Sequence, residues 1–129
     1  MASRSTRLVV QNRLYSNVSV TIRAEVASSE NWDSQDRPDV NFDNVVIVSG
    51  EERSQHEELN ESCNSAWFTL HVVTSDGQSF SFKNEHWDAL SNDTIQRDQY
   101  EISRGVGAGT ILVSQTAGQG VNTFVIKGS

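Results

Sequence analysis

The chain has 129 residues, of which 17 are acidic and 10 are basic, so its formal net charge at pH 7 is −7. This length is typical of one domain with a core of its own, and we treat residues 1–129 as a single domain. The acidic balance argues against nucleic acids and anionic membranes as partners, since both are bound through basic surfaces.

No stretch of the sequence is typical of a targeting or membrane-spanning segment. The start, MASRSTRLVVQNR, has no apolar core of signal-peptide length. No apolar run approaches the roughly 20 residues of a spanning helix. The single cysteine, Cys63, cannot form an intrachain disulfide. We therefore expect a protein that is cytoplasmic or is released without a signal peptide.

Alternation of apolar and polar residues dominates the first half of the chain. The segment TRLVVQNRL predicts a first strand. In NVSVTIRAEV, apolar residues at every second position from Val18 to Val26 predict a long antiparallel strand with one buried face. A third strand is predicted in VNFDNVVIVSGEE, ending at Gly50, and a fourth in SQHEEL.

The second half continues the same pattern. SAWFTLHVV predicts a fifth strand, with Phe68 and Leu70 on one face and Trp67 and His71 on the other, and either face could be the inner one. We expect Trp67 to belong to the core. The SDG segment predicts a tight turn, since Asp-Gly tolerates positive φ, and QSFSFK predicts the returning strand.

The C-terminal part contains the only segment with helical character and a last hairpin. Residues Asp93 to Tyr100 are the one candidate helix, with a loop as the alternative, and GTILVSQT and NTFVIKG predict a closing hairpin. Many short strands separated by turn signals indicate an all-β fold, either a sandwich or a barrel.

Three segments resemble catalytic or ligand motifs but lack the residues that those motifs need. RGVGAGT has neither the third glycine of a dinucleotide loop nor a Walker lysine. HEEL at His56 lacks the second zinc-binding histidine, and DRPDVNFDN lacks the glycine and glutamate of a calcium loop. We therefore expect no metal, no cofactor and no enzymatic activity.

Two tryptophans lie in polar surroundings, and each is followed directly by an aspartate. Trp32 is in SSENWDSQD, and Trp87 is in NEHWDA, just beyond the predicted strand QSFSFK. Amphipathic rings at loop tips suit a membrane interface or the face of a sugar. The alternative is that each ring covers one end of the core.

The order of these features resembles the aegerolysins, small acidic β-sandwich proteins known mainly from fungi and bacteria. The likeness covers nearly the whole chain and is closest from Gly50 to Asp88, where Cys63, an Asp-Gly turn and the Trp87-Asp88 pair follow one another. Two departures stand out. The first strand contains no tryptophan, and Trp87-Asp88 continues into Ala89-Leu90 rather than into Cys-Pro.

The resemblance implies a single antiparallel β-sandwich that recognises sphingolipid-containing membranes and has no catalysis of its own. It also implies a larger perforin-like protein as the partner that forms a pore, so that this chain would be the targeting component of a two-part cytolysin. The residues expected to contact a zwitterionic sphingolipid are Trp32, Trp87, His86, Glu85 and Asp88. The protein would then be a peripheral membrane protein when bound.

Two other functions remain open. A calcium-independent lectin with a β-sandwich fold would use the same rings, with Asn84, Asp88 and Asn92 binding sugar hydroxyls. Alternatively, the last hairpin, TILVSQTAGQGVNTFVIKG, would form a subunit interface of an interaction protein.

Overall fold

The fold was analysed in a computed structural model, which describes residues 5–15, 17–27, 42–58, 65–88, 94–104, 111–118 and 121–128. Within these ranges the chain forms nine strands: β1 (Ser5–Arg13), β2 (Val20–Ala27), β3 (Val45–Ile47), β4 (Glu52–Glu58), β5 (Ser65–Thr74), β6 (Ser79–Asp88), β7 (Thr94–Arg104), β8 (Ile111–Gly118) and β9 (Val121–Gly128). Among the described residues there is no helix with the length and apolar character needed to cross a bilayer.

The strands form two sheets that pack face to face, which confirms the predicted all-β sandwich. The small sheet has the order β4-β1-β9-β8, and the large sheet has the order β3-β2-β5-β6-β7. All neighbouring strands are antiparallel except β1 and β9, which are parallel. Because β1 and β9 are the first and last strands, no hairpin dictates their relative direction.

The core is made of apolar side chains from the inner faces of both sheets. Phe124 of the small sheet lies between two phenylalanines of the large sheet, with ring centroids 4.8 Å from Phe82 and 6.4 Å from Phe68. Off-parallel aromatic contacts at these distances are favourable beyond the apolar area that they bury. The other fully buried large side chains are Phe42, Leu8, Ile22, Leu70, Ile111 and Ile126.

The structure decides which face of β5 is the inner one. Phe68 and Leu70 are buried in the core, whereas His71 is exposed and Trp67 is only half-buried on the outer face of the large sheet. The expectation that Trp67 belongs to the core was therefore wrong. A bulky ring in a strand suggests burial, but its position in the alternation placed it opposite Phe68.

Three predicted elements differ from the structure in length or in type. The third strand is shorter than predicted and covers only Val45–Ile47. The returning strand does not stop at Lys83 but continues to Asp88. Of the candidate helix at Asp93 to Tyr100, residues 94–100 are instead part of strand β7, which pairs with β6, and Asp93 is outside the described residues. Hydrogen bonding along a neighbouring strand outweighs the small differences in local propensity that suggested a helix or loop.

Asn12 is the polar side chain that connects the two sheets. It is fully buried, and its amide nitrogen donates to the carbonyl oxygens of Val18, at 3.0 Å, and Ile47, at 2.9 Å. Its amide oxygen accepts a bond of 3.0 Å from the backbone N–H of Leu14. The side chain at the end of β1 thus holds the start of β2 and the strand β3.

The β5–β6 turn is built on hydrogen bonds among three side chains. The Thr74 hydroxyl donates to the Asp76 carboxylate and accepts a bond of 2.8 Å from the backbone N–H of Gln78. Gly77 has a φ of 92°, which glycine adopts without steric cost. The predicted Asp-Gly turn is confirmed. The hydrogen bond that Asp76 accepts from Thr74, and to a lesser extent the 3.2 Å bond that it accepts from the side-chain amide of Gln78, lower the pKa of Asp76 below its ordinary value of 3.8.

Replacing Asn12 with alanine should lower the free energy of unfolding by about 3 kcal/mol, since two carbonyls and one N–H would lose their partner in a buried place. Urea unfolding of the purified chain measures this loss. The neighbouring variant Gln11→Ala is the control, because Gln11 bonds to Glu52 in an exposed pair and should change stability by less than about 1 kcal/mol. Equal losses in the two variants would contradict the role of Asn12.

Asp76→Asn should make the protein less stable at neutral pH than the wild type. Because the folded-state pKa lies below 3.8, the carboxylate stabilises the fold fully above that pH, and this contribution is lost as the pH falls through the lowered pKa. Unfolding curves of both proteins between about pH 2 and pH 7 should therefore converge at the acidic end. A difference that is constant over this range would show that the charge of Asp76 plays no part.

Candidate functional site

Four of the five residues predicted to bind lipid belong to the described part of the chain. Glu85, His86, Trp87 and Asp88 form the last part of strand β6, and their backbone pairs with β5 and β7. The sequence suggested that Trp87 lies beyond the strand, whereas its backbone is inside it. Trp32 lies outside the described residues.

The backbone of β6 changes its pairing just before this segment. Its register with β5 is continuous from Val73↔Ser79 to Ser65↔Trp87. Its register with β7 shifts between Asn84 and His86. Such bulges bend a strand and increase its local twist, and they are frequent next to functional sites. The segment from His86 to Asp88 therefore begins where the large sheet departs from regular geometry.

Four strand ends of the large sheet meet where this segment lies. Ala27, the last residue of β2, pairs with Trp67, and Trp67 pairs with Glu85. One step further, Trp87 pairs with Ser65 on one side and with Ile95 on the other. We call this region, formed by Ala27, 65–67, 85–88 and 94–95, the tryptophan end.

Strand β2 ends at the tryptophan end. Trp32 follows Ala27 by five residues in the sequence, and Ala27 is where β2 ends. The strand order therefore brings together the backbone of Trp87, the ring of Trp67 and the last residue of β2, Ala27.

Trp67 is the aromatic residue that the sequence analysis did not assign to the site. Its half-buried ring lies on the outer face of the large sheet, and the Nζ atom of Lys83 is 4.7 Å from the ring centroid. An ammonium group at this distance from an indole face is attracted by the ring quadrupole. The alternation in the sequence could have predicted this outer position, because neighbouring residues of a strand point to opposite faces and Trp67 directly precedes Phe68.

The residues predicted for a lectin site and for a subunit interface lie in different sheets where the structure describes them. Asn84 and Asp88 lie on β6, whereas Asn92 is outside the described residues. The last hairpin is formed by β8 and β9 as predicted, with pairing from Ile111↔Gly128 to Gly118↔Val121. Leu112 and Val121 are exposed on it. Within the described part of the chain, no three His, Cys, Asp or Glu residues are grouped closely enough to hold a metal ion.

Comparison with known proteins shows the fold. The sequence matches no protein-family model and no curated protein. The structure is similar to that of IP-1A from Alcaligenes faecalis, with a TM-score of 0.56 and 8% identity over 98% of this chain and 92% of that chain. It is also similar to RahU, solved in complex with a Tris molecule, with a TM-score of 0.56 and 13% identity over 96% of each chain. Both are aegerolysin-like β-sandwich proteins.

The contact between Lys83 and Trp67 should contribute about 0.5 kcal/mol to stability through the ammonium charge. Lys83→Met keeps the aliphatic stem and removes that charge, so it should cost this amount in the wild-type chain and nothing in a Trp67→Leu chain. A double-mutant cycle from urea unfolding measures the coupling. Lys127→Met, at an exposed lysine of β9, is the matched control, and equal effects of Lys83→Met in both backgrounds would refute the contact.

Proposed function

We propose that this chain is an aegerolysin-like protein that binds sphingolipid-containing membranes through its tryptophan end, without catalysis. The observation that carries the proposal is the convergence of aromatic residues at one end of the sandwich. The ring of Trp67 and the backbone of Trp87 lie there on adjacent strands, and β2 ends there at Ala27, five residues before Trp32 in the sequence. The similarity to two aegerolysin-like folds over nearly the whole chain supports it.

The chemistry of the tryptophan end suits the boundary between headgroups and acyl chains. Indole rings are amphipathic and are enriched at that depth of the bilayer. Lys83 adds a cation beside Trp67, and an ammonium group on a flexible stem can bind a lipid phosphate. The polar residues Glu85, His86 and Asp88 would bind the headgroup.

Electrostatics favour a zwitterionic lipid over an anionic one. The chain carries a net charge of −7, so an anionic surface repels it within the Debye length of about 10 Å at moderate salt. A zwitterionic sphingolipid imposes no such repulsion. Binding would then depend on the rings and on short-range polar contacts, and the bound protein would be peripheral to the membrane.

A pore-forming function would require a second protein. We propose that a larger perforin-like protein forms the pore, and that this chain is the component that recognises the lipid. A sandwich whose inner faces are filled by core side chains can dock on a surface while keeping its fold.

The proposal predicts selective sedimentation with liposomes. The chain should pellet with phosphatidylcholine liposomes that contain sphingomyelin and cholesterol, or ceramide phosphoethanolamine. It should not pellet with phosphatidylcholine alone or with an added anionic lipid. Trp87→Ala should weaken binding at least about tenfold, the loss expected when a large apolar side chain no longer leaves water.

The matched control is Tyr15→Ala. Tyr15 is 57% exposed, and the turn that contains it leads to Ser19, which contacts Ser75 near the β5–β6 turn. This variant therefore removes an aromatic ring from the opposite end of the sandwich and should bind normally. If Trp87→Ala is folded and binds liposomes as the wild type does, or if no sphingolipid mixture pellets the chain, the proposal fails.

A further inference from the structure

A groove lined by both apolar and polar residues lies on the outer face of the large sheet, over strands β2 and β5. Its volume is about 770 Å³, within the range of roughly 300–1,000 Å³ that is typical of small-molecule sites. The residues that define its chemistry are Thr21, Arg23, Glu25, Asn44, His71 and Val73. No role has been given to this groove by the proposed lipid binding, which uses the tryptophan end.

Beside the groove, β3 covers only part of the length of β2. β3 pairs with β2 only from Val20 to Ile22, while β2 continues to Ala27. The turn before β3 forms one rim, where Asn44 has a φ of 61°. Asn tolerates this left-handed conformation better than most residues do. The local backbone thus presents an amide side chain at the border of the groove.

One hydrogen bond inside the groove joins His71 to Glu25, and within the described ranges the neighbouring Arg23 has no side-chain partner. Arg23 is directly opposite His71, and Glu25 is directly opposite Thr69. His71 Nε2 nevertheless lies 2.9 Å from Glu25 Oε1, along the diagonal. This contact draws the carboxylate towards β5. Arg23 is exposed, and within the described ranges no hydrogen bond or ion pair reaches its guanidinium.

The same contact also leaves part of Glu25 available to a ligand. Its Oε1 atom is occupied by His71, while no contact within the described ranges involves its Oε2 atom. The groove therefore offers a fork of cationic donors, a carboxylate acceptor held in place by His71, and the hydroxyl of Thr21. Val73, which is 53% exposed, supplies an apolar surface beside them.

We propose that this groove binds a monosaccharide that carries one anionic group, either a carboxylate or a phosphate. Arg23 binds the anion in a bidentate manner, which is the geometry that a guanidinium favours. Glu25, Thr21 and Asn44 exchange hydrogen bonds with ring hydroxyls, and Val73 packs against the C–H face of the sugar. Because Arg23 and Glu25 offset each other in a chain of charge −7, a small ligand with one charged group fits better than a polyanion.

The test is a titration of the full-length chain, followed by backbone amide NMR, with glucuronate, glucose 6-phosphate and glucose. At least one anionic sugar should produce saturable shifts at Thr21, Arg23 and His71, and glucose should bind at least about tenfold more weakly. Saturation by glucuronate alone identifies the anionic group as a carboxylate, and saturation by glucose 6-phosphate alone identifies it as a phosphate.

Two variants make the test specific. Arg23→Gln should weaken binding of the anionic sugar at least about tenfold. Because Arg23 is exposed and its guanidinium bonds to none of the described residues, this variant should remain folded. Arg53→Gln, at an exposed arginine of β4 in the small sheet, should bind normally. The proposal is overturned if neither anionic sugar saturates the groove, if glucose binds equally well, or if Arg23→Gln binds as the wild type does.

The same variants separate this proposal from lipid binding. Arg23→Gln should still pellet with sphingolipid liposomes, because the tryptophan end is intact in it. Trp87→Ala should still bind the anionic sugar. Loss of both activities in Arg23→Gln would contradict the assignment of two separate sites.

Discussion

The buried amide of Asn12 is the contact on which the arrangement of the two sheets depends. Asn12 belongs to β1 of the small sheet, but it bonds to Val18, which leads into β2, and to Ile47 of β3. Both of the latter strands are in the large sheet. Two donors and one acceptor on one short side chain satisfy three backbone groups through two buried bonds and one part-buried bond. Asparagine is the smallest residue that offers this set.

Along β2 and β5, successive side chains point alternately into the core and to the outer face, so that residues needed for packing are separated from residues available for function. The inner residues, such as Ile22, Phe68 and Leu70, fill the core. The outer residues, such as Arg23 and His71, carry charge or ring surface that packing does not require. Polar substitutions on the outer face therefore cost little stability, and chemistry can vary there while the fold persists. This agrees with folds shared at 8% and 13% identity.

The two candidate sites lie at different places on the large sheet and use different chemistry. The tryptophan end is formed where four strands begin or end, beside a shift of register in β6. The groove lies beside the short strand β3, which pairs with only part of β2. In both cases an irregularity of the sheet creates the surface, since a regular, fully paired sheet presents only a flat array of side chains.

Much of the fold follows from the sequence alone. Alternation specified β2 and β5, and Asp76-Gly77 specified the turn after β5, because period and turn chemistry are local properties. Tertiary structure decided the rest. Packing against the other sheet determined which face of β5 is buried, and Trp67 is on the outer one. Pairing with neighbouring strands determined that β6 continues through Trp87 and that residues 94–104 form a strand. Tertiary structure also determined that β1 and β9 are parallel and that the carboxylate of Glu25 contacts His71 rather than Arg23. These outcomes depend on partners far away in the chain, and a local pattern contains no information about which partner will be adjacent.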